Sequence, residues 1–384
     1  MNRGDKLVLW GNYFGFVVMG MIVVSFGATM PFIRESFNLD YEQGGTMLAL
    51  FSASYLVNGF LGGTLSDRFG IQKTIVLGNL LYVMGLLTMA FTPYAMGLFI
   101  GVVITGMGWG FCNTGINVRV ALETNGDGNA MSLLHMSYGI GAFIIPLVFS
   151  GFTKWGLTWQ HTLVFLGGLA TISLILSIKM KAPLRIEKKK QKNKPIQRRR
   201  FIVILTVALI LFFYVGSENS FSNWLVTYLI DELAFSESFS QNVLSTLWLT
   251  VIVSRFFVGR ISRFIKPSKL IFIMGLGGII GLAAFNAAGT PVTVVGAVVI
   301  IGLMFAGIYP MTMTAAQPSI AGSATISAII ISGGGLGSTI LPYVTGILAG
   351  RYGTPIIFTT VWITIAAMSV FAGLHYLLVK NQDA

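Results

Sequence analysis

The chain repeats itself at a fixed offset of 196 residues, and the repeat runs through long apolar segments. Gly63, Ser66 and Lys73 recur as Gly259, Ser262 and Lys269. Gly106 recurs as Gly302, and Gly139, Gly141 and Pro146 recur as Gly335, Gly337 and Pro342. The register holds without a gap from the second apolar segment of each half to the fifth. Such a chain must fold into two matching halves.

The repeated segments read as membrane spans. Hydrophobic residues make up 54% of the 384 residues and charged residues only 10%, whereas a soluble domain carries about 25% charged residues. Twelve apolar runs stand out, at 7–31, 44–66, 73–92, 95–118, 130–151, 159–180, 201–230, 240–262, 269–288, 291–316, 322–350 and 354–379. Each reaches or nears the ~20 residues that cross ~30 Å of hydrocarbon. They do not alternate as barrel strands do, and helices satisfy their backbone internally, as lipid requires. The expected fold is an all-α membrane protein with twelve transmembrane helices in two six-helix pseudo-symmetric halves. We place the N-terminal half at 1–180, a basic linker at 181–200 and the C-terminal half at 201–384. The first run has full span length, which argues against a cleavable signal peptide. Two matching membrane halves around a cavity are the usual build of a secondary transporter.

Charge sets the orientation. With both termini cytoplasmic, 22 of the 25 Lys and Arg lie inside, and only Arg34, Lys154 and Arg351 lie outside. The positive-inside rule favours that arrangement. The net charge of +12 is thus a topology signal, and no nucleic-acid partner is expected. Lys179–Arg200 holds eleven Lys and Arg and reads as a solvated tether that also meets anionic lipid headgroups. Cys112 is the single cysteine, so no internal disulfide or CxxC metal site can form. His135, His161 and His375 are scattered, and no metal or cofactor is expected. No nucleophile–base constellation appears, so the chain does not read as an enzyme. The run Ser332–Gly337 lacks the Gly-Lys pair of a phosphate loop. Transport must then be driven by a gradient.

Three segments carry a family resemblance. Gly62-Gly63-Thr64-Leu65-Ser66-Asp67-Arg68-Phe69-Gly70, followed by Lys73, resembles the cytoplasmic loop motif of the major facilitator superfamily, with Gln72 near the usual second basic position. Tyr214-Val215-Gly216-Ser217-Glu218, then Trp224, resembles the Tyr-Val-Gly-x-Glu…Trp signature of the fucose/galactose/glucose–proton symporter group. In the fourth span Asn117 fits that group's final Asn, and Asn113 stands where the group often carries an acid. The fifth span lacks the Gly-Pro…Gly-Gly run of drug–proton antiporters. The resemblance implies the major facilitator fold, a monomer, and a gating role for Asp67, whose counterpart caps a helix of the other half. Arg68 joins that charge network.

The residues themselves suggest where a solute would bind. Of the thirteen acids, only Glu218 falls well inside a span. An ionisable group there costs several kcal/mol unless it faces water, a solute or a partner. Counted from Arg200 it lies roughly 27 Å along a continuous helix, toward the outer half. Glu218 is the candidate for a hydroxyl acceptor, a proton carrier or an outer-gate residue. Asn219 and Asn223 lie one turn apart on an adjacent face, with Trp224 beside them. Amides read hydroxyls, and an aromatic face covers the apolar face of a sugar ring. Asn113 and Asn117 share one face of the fourth span, either lining a cavity or holding the bundle by hydrogen bonds. Tyr309 matches Asn113 at the repeat offset and should face the same cavity. The expected function is secondary active transport of a small polar solute, a monosaccharide, by alternating access with possible proton symport. The alternative is a drug or lipid efflux antiporter.

Overall fold

The computed structural model describes residues 3–180, 198–320 and 324–380, and all regular elements among them are helices. Linker residues 181–197 lie outside the described residues. The helices are α1 (Arg3–Phe37), α2 (Tyr41–Phe69), α3 (Ile71–Phe91), α4 (Ala95–Glu123), α5 (Gly128–Lys154), α6 (Trp159–Lys179), α7 (Arg198–Asp231), α8 (Glu237–Ile261), α9 (Pro267–Asn286), α10 (Pro291–Phe305), α11 (Ile308–Ile320), α12 (Ala324–Tyr352) and α13 (Ile356–Lys380). They supply twelve apolar helical stretches long enough to cross a bilayer, with α10 and α11 forming one of them.

Local chemistry sets several boundaries. Asp40 and Gln43 form a reciprocal cap on α2, with the Gln43 amide donating to Asp40 Oδ1 at 2.7 Å and the Asp40 amide donating to Gln43 Oε1 at 3.0 Å. Pro267 and Pro291 occupy the first turns of α9 and α10, where a missing N–H is harmless. Gly70 joins α2 to α3 at φ 97°, a conformation that favours glycine.

Two differences from the sequence expectation have clear causes. Hydropathy sees only the part of a helix inside the bilayer, so α1 continues past the expected end at 31 to Phe37. The run 291–316 breaks at Ala306–Gly307. Pro310 has no N–H to give the Ala306 carbonyl, and it fits the first turn of a new helix. Because the residues across the break are apolar, hydropathy cannot register it.

Contacts divide the chain into two compact units. One comprises Met1–Glu187 with Glu237–Ser245, and the other Lys188–Ser236 with Thr246–Ala384. In the first, α4 packs on α2 and α3, α1 on α5, and α3 on α6. The outer turns of α8 belong here through polar bonds. Gln241 Nε2 donates to the Ala28 carbonyl at 2.7 Å, and the Ser245 hydroxyl donates to the Phe143 carbonyl at 3.0 Å. In the second unit α7 packs on α12 and α13, and α9 on α13 and α10. Cys112 is buried at the α3–α4 seam, its thiol against the Ile75 carbonyl.

Glycine explains much of the repeat. A Cβ on Gly106 would strike the Phe51 carbonyl oxygen, and one on Gly302 would lie 3.1 Å from the Leu247 carbonyl oxygen. Phe51 and Leu247 are themselves related by the 196-residue offset. A Cβ on Gly141 would strike the Val17 carbonyl, and one on Gly337 the Phe212 carbonyl. Such close backbone approach is how helices associate in lipid. Gly63 and Gly259, also part of the repeat, face open space. Gly141→Val and Gly337→Val should therefore each lose about 2 kcal/mol or more through overpacking, while Gly63→Ala and Gly259→Ala stay near neutral. Thermal midpoints and monodispersity in detergent will check this contrast.

Candidate functional site

In the second unit the break in span ten organises a polar cluster. α10 ends with the Ala306 amide donating to the Gly302 carbonyl at 3.3 Å, and α11 begins with the Met311 amide donating to the Gly307 carbonyl at 3.0 Å. The Phe305 carbonyl is left at the C-terminal end of α10, where helical carbonyls lack partners. Tyr214 of α7 reaches it. The Tyr214 hydroxyl lies 2.8 Å from the Phe305 oxygen and 2.7 Å from Glu218 Oε1. Tyr214 is fully buried with its ring edge-on to Phe305, whereas Glu218 keeps some exposure. The Arg255 charge, from α8, acts on Tyr214, Glu218 and Tyr309 together. Tyr309 opens α11 and is partly exposed.

This cluster gathers Glu218 and Tyr309 but leaves the neighbouring amides aside. Asn219 lies about 100° around α7 from Glu218, and its amide nitrogen donates back to the Val215 carbonyl at 2.8 Å. Asn223 is partly exposed on the same side as Asn219. Trp224 is fully buried, and its indole N–H donates to the Pro342 carbonyl of α12 at 3.2 Å. That placement packs α7 against α12 and gives the indole no open face. At 34 residues α7 spans about 50 Å, more than the bilayer thickness. Glu218 lies within about one turn of its middle.

In the first unit the amides of α4 meet aromatic rings. Asn113 Nδ2 donates to the Tyr55 hydroxyl at 3.3 Å. Asn117 Nδ2 donates to the Asn113 carbonyl at 2.8 Å and lies 3.2 Å from Asn113 Oδ1. Tyr55 stacks on Trp109, with ring centroids 3.9 Å apart and planes at 22°. All four residues are partly exposed. At the end of α2, Asp67 and Arg68 are exposed, and Arg68 lies over the Phe69 ring at 5.3 Å. Arg119, buried in α4, pairs with Glu123 at 3.2 Å.

Three of these participants escaped the sequence reading. Arg255 passes for a cytoplasmic charge in a topology count, yet it lies inside the eighth apolar run, which marks a functional candidate. Tyr55 and Trp109 carried a signal too. Membrane tryptophans gather at the interfaces, whereas Trp109 is central.

Twelve apolar spans with ionisable and amide groups at mid-helix define a multi-pass membrane protein. The chain belongs to the Major Facilitator Superfamily, whose family profile matches residues 13–329. It is 21% identical over 366 residues to the protein TsgA homolog of Buchnera aphidicola subsp. Schizaphis graminum, covering 94% of each chain. It is 24% identical over 363 residues to the glucose/mannose transporter GlcP of Bacillus subtilis, covering 90% of this chain and 88% of that one. The crystal structure of a D-xylose-proton symporter superposes with a TM-score of 0.82 at 15% identity, over 96% of this chain and 97% of that one. This likeness establishes the major facilitator fold.

The Tyr214 hydroxyl should be structural as well as functional. Tyr214→Phe keeps the ring packing but leaves the Phe305 carbonyl at the break unbonded, which costs about 1–3 kcal/mol. A fall of several degrees in the thermal midpoint of the purified protein will check it.

Proposed function

We propose that this protein moves a monosaccharide across the cytoplasmic membrane by alternating access, with both termini inside and a monomer as the working unit. The halves are 1–180 and 201–384, joined by a basic linker that meets anionic lipid. Asn113, Asn117, Glu218, Asn219, Asn223 and Tyr309 supply hydroxyl-reading groups. Trp224 acts by holding α7 on α12. Asp67 and Arg68 gate the cytoplasmic end. The relative named as a glucose/mannose transporter supports the solute class.

One observation carries the mechanism: two acceptors share one proton at Tyr214. Its hydroxyl faces both the Phe305 carbonyl and Glu218. With Glu218 protonated, the carboxyl donates to the Tyr214 oxygen and the Tyr214 proton goes to the Phe305 carbonyl. Both bonds are then satisfied. With Glu218 ionised, the phenol proton serves the carboxylate, and the helix-end carbonyl loses its donor. The Arg255 charge acts on the carboxylate as countercharge. The protonation state of Glu218 is thereby tied to the bonding of the helix break, which suits a proton-coupling residue.

The experiment is uptake into proteoliposomes of labelled D-glucose, D-mannose, D-galactose and D-xylose, with and without an inward proton gradient. Gradient-driven accumulation of a sugar is the expected result. Glu218→Gln should abolish accumulation while sugar exchange at equal pH persists. Full accumulation by that variant removes Glu218 from coupling, and absence of any sugar flux in folded protein removes the sugar reading.

A further inference from the structure

In the first unit a groove of about 420 Å³ runs between α3 and α6, lined by Gln72, Lys73, Val76, Leu77, Leu80 and Ile178. We propose that it seats one anionic phospholipid, with the headgroup on Lys73 and Lys179 and an acyl chain along the apolar residues. The inference does not depend on which solute the protein carries.

Sequence spacing builds the apolar track. Lys73, Val76, Leu77, Leu80 and Met84 recur at helical intervals and share one face of α3. Leu80 and Met84 are 42% and 49% exposed, and Ile175 and Ile178 of α6 are 47% and 58% exposed. The floor beneath is closed by a polar bond. Asn79 Nδ2 lies 3.1 Å from the Ser177 hydroxyl, and both residues are buried. The groove therefore opens outward, away from the interior of its unit. From Lys73 to Met84 the face runs about 16 Å, close to half of the ~30 Å hydrocarbon thickness. That is the depth of one leaflet, and so the reach of one acyl chain.

Charge marks one end of the track. Gln72 turns toward α6, with its Nε2 3.1 Å from the Ser177 and Ile178 carbonyl oxygens, and it also donates to the Met180 carbonyl. Carbonyls in the last turn of a helix are short of intrahelical donors, so this contact pins the start of α3 to the end of α6. Lys73 and Lys179 adjoin the bonded residues, and both are exposed. Two ammonium groups thus belong to the same end of the groove. Neither α3 nor α6 carries an acid. Lysine stems lie along apolar surface while the ammonium reaches headgroup depth, and basic pockets between spans bind acidic headgroups. A zwitterionic lipid offers the chains without net charge, and free phosphate offers the charge without a chain. An anionic phospholipid meets both features.

The test uses the full-length protein, purified and delipidated in detergent. Native mass spectrometry counts bound lipid during titration with dioleoyl phosphatidylglycerol or dioleoyl phosphatidylcholine. The wild type should bind its first phosphatidylglycerol about 25-fold more tightly than phosphatidylcholine. Lys73→Gln and Lys179→Gln should each weaken phosphatidylglycerol about fivefold, and the double variant should bring it to the phosphatidylcholine level. Leu77→Trp fills the groove and should weaken both lipids. Should that variant fail to fold, Val76→Phe tests the same seat. Replacing the linker residues Lys188, Lys189 and Lys190 with Gln should leave the first phosphatidylglycerol bound. Millimolar inorganic phosphate should not displace it. Equal binding of the two lipids by the wild type overturns the proposal, as does unchanged phosphatidylglycerol binding in the double lysine variant or in the folded groove-filling variant. An equal or larger loss on neutralising the linker assigns the lipid to the tether and overturns the groove. Displacement by inorganic phosphate overturns the acyl seat.

Discussion

Backbone touching backbone is the contact on which both six-helix halves depend. In lipid there is no hydrophobic drive to bring helices together, so association relies on dispersion and close fit. The chain meets this with glycines set against carbonyl oxygens, Gly106 against Phe51 and Gly302 against Leu247. The same pair of contacts recurs one repeat apart. Close approach at these points fixes the spacing of α2 against α4 and of α8 against span ten. The first pair carries the Tyr55–Asn113 bond, and the second carries Arg255, Phe305 and Tyr309. The placing of those polar groups is thus built on glycine contacts away from them.

The repeat also shows how two matching halves acquire different chemistry. Trp109 and Asn113 correspond to Phe305 and Tyr309, and Gly59 corresponds to Arg255. One half places stacked rings and neutral amides at mid-helix. The other places a carboxylate, a guanidinium and a broken helix at equivalent depth. Architecture is conserved between the halves, while the ionisable groups at mid-helix fall in one of them.

The spans were legible because hydropathy needs no tertiary information, and the loop motif after α2 pointed to the superfamily. Glycine identity at repeated positions was legible as well, but its meaning was not. Gly63 and Gly141 look alike in the repeat, yet one is open and the other meets a carbonyl. The break in span ten was hidden because its residues are apolar, although Gly307 and Pro310 held the clue. Glu218 was found by its cost in a membrane. Arg255 obeys the same rule and was missed because it lies near enough to the end of its run to pass as a loop charge. Trp224 and Trp109 show the other limit. Composition cannot tell a fully buried tryptophan from one that keeps accessible surface, since only packing decides.

The lone cysteine has a practical consequence. Cys112 sits inside the α3–α4 seam with its sulfur against the Ile75 carbonyl. A thiol so enclosed is inert toward reagents in water. The natural chain is therefore a nearly silent background for spectroscopic labelling. A spin label or fluorophore attached to an introduced thiol would report on its own position alone, without first rebuilding the helix seam that Cys112 fills.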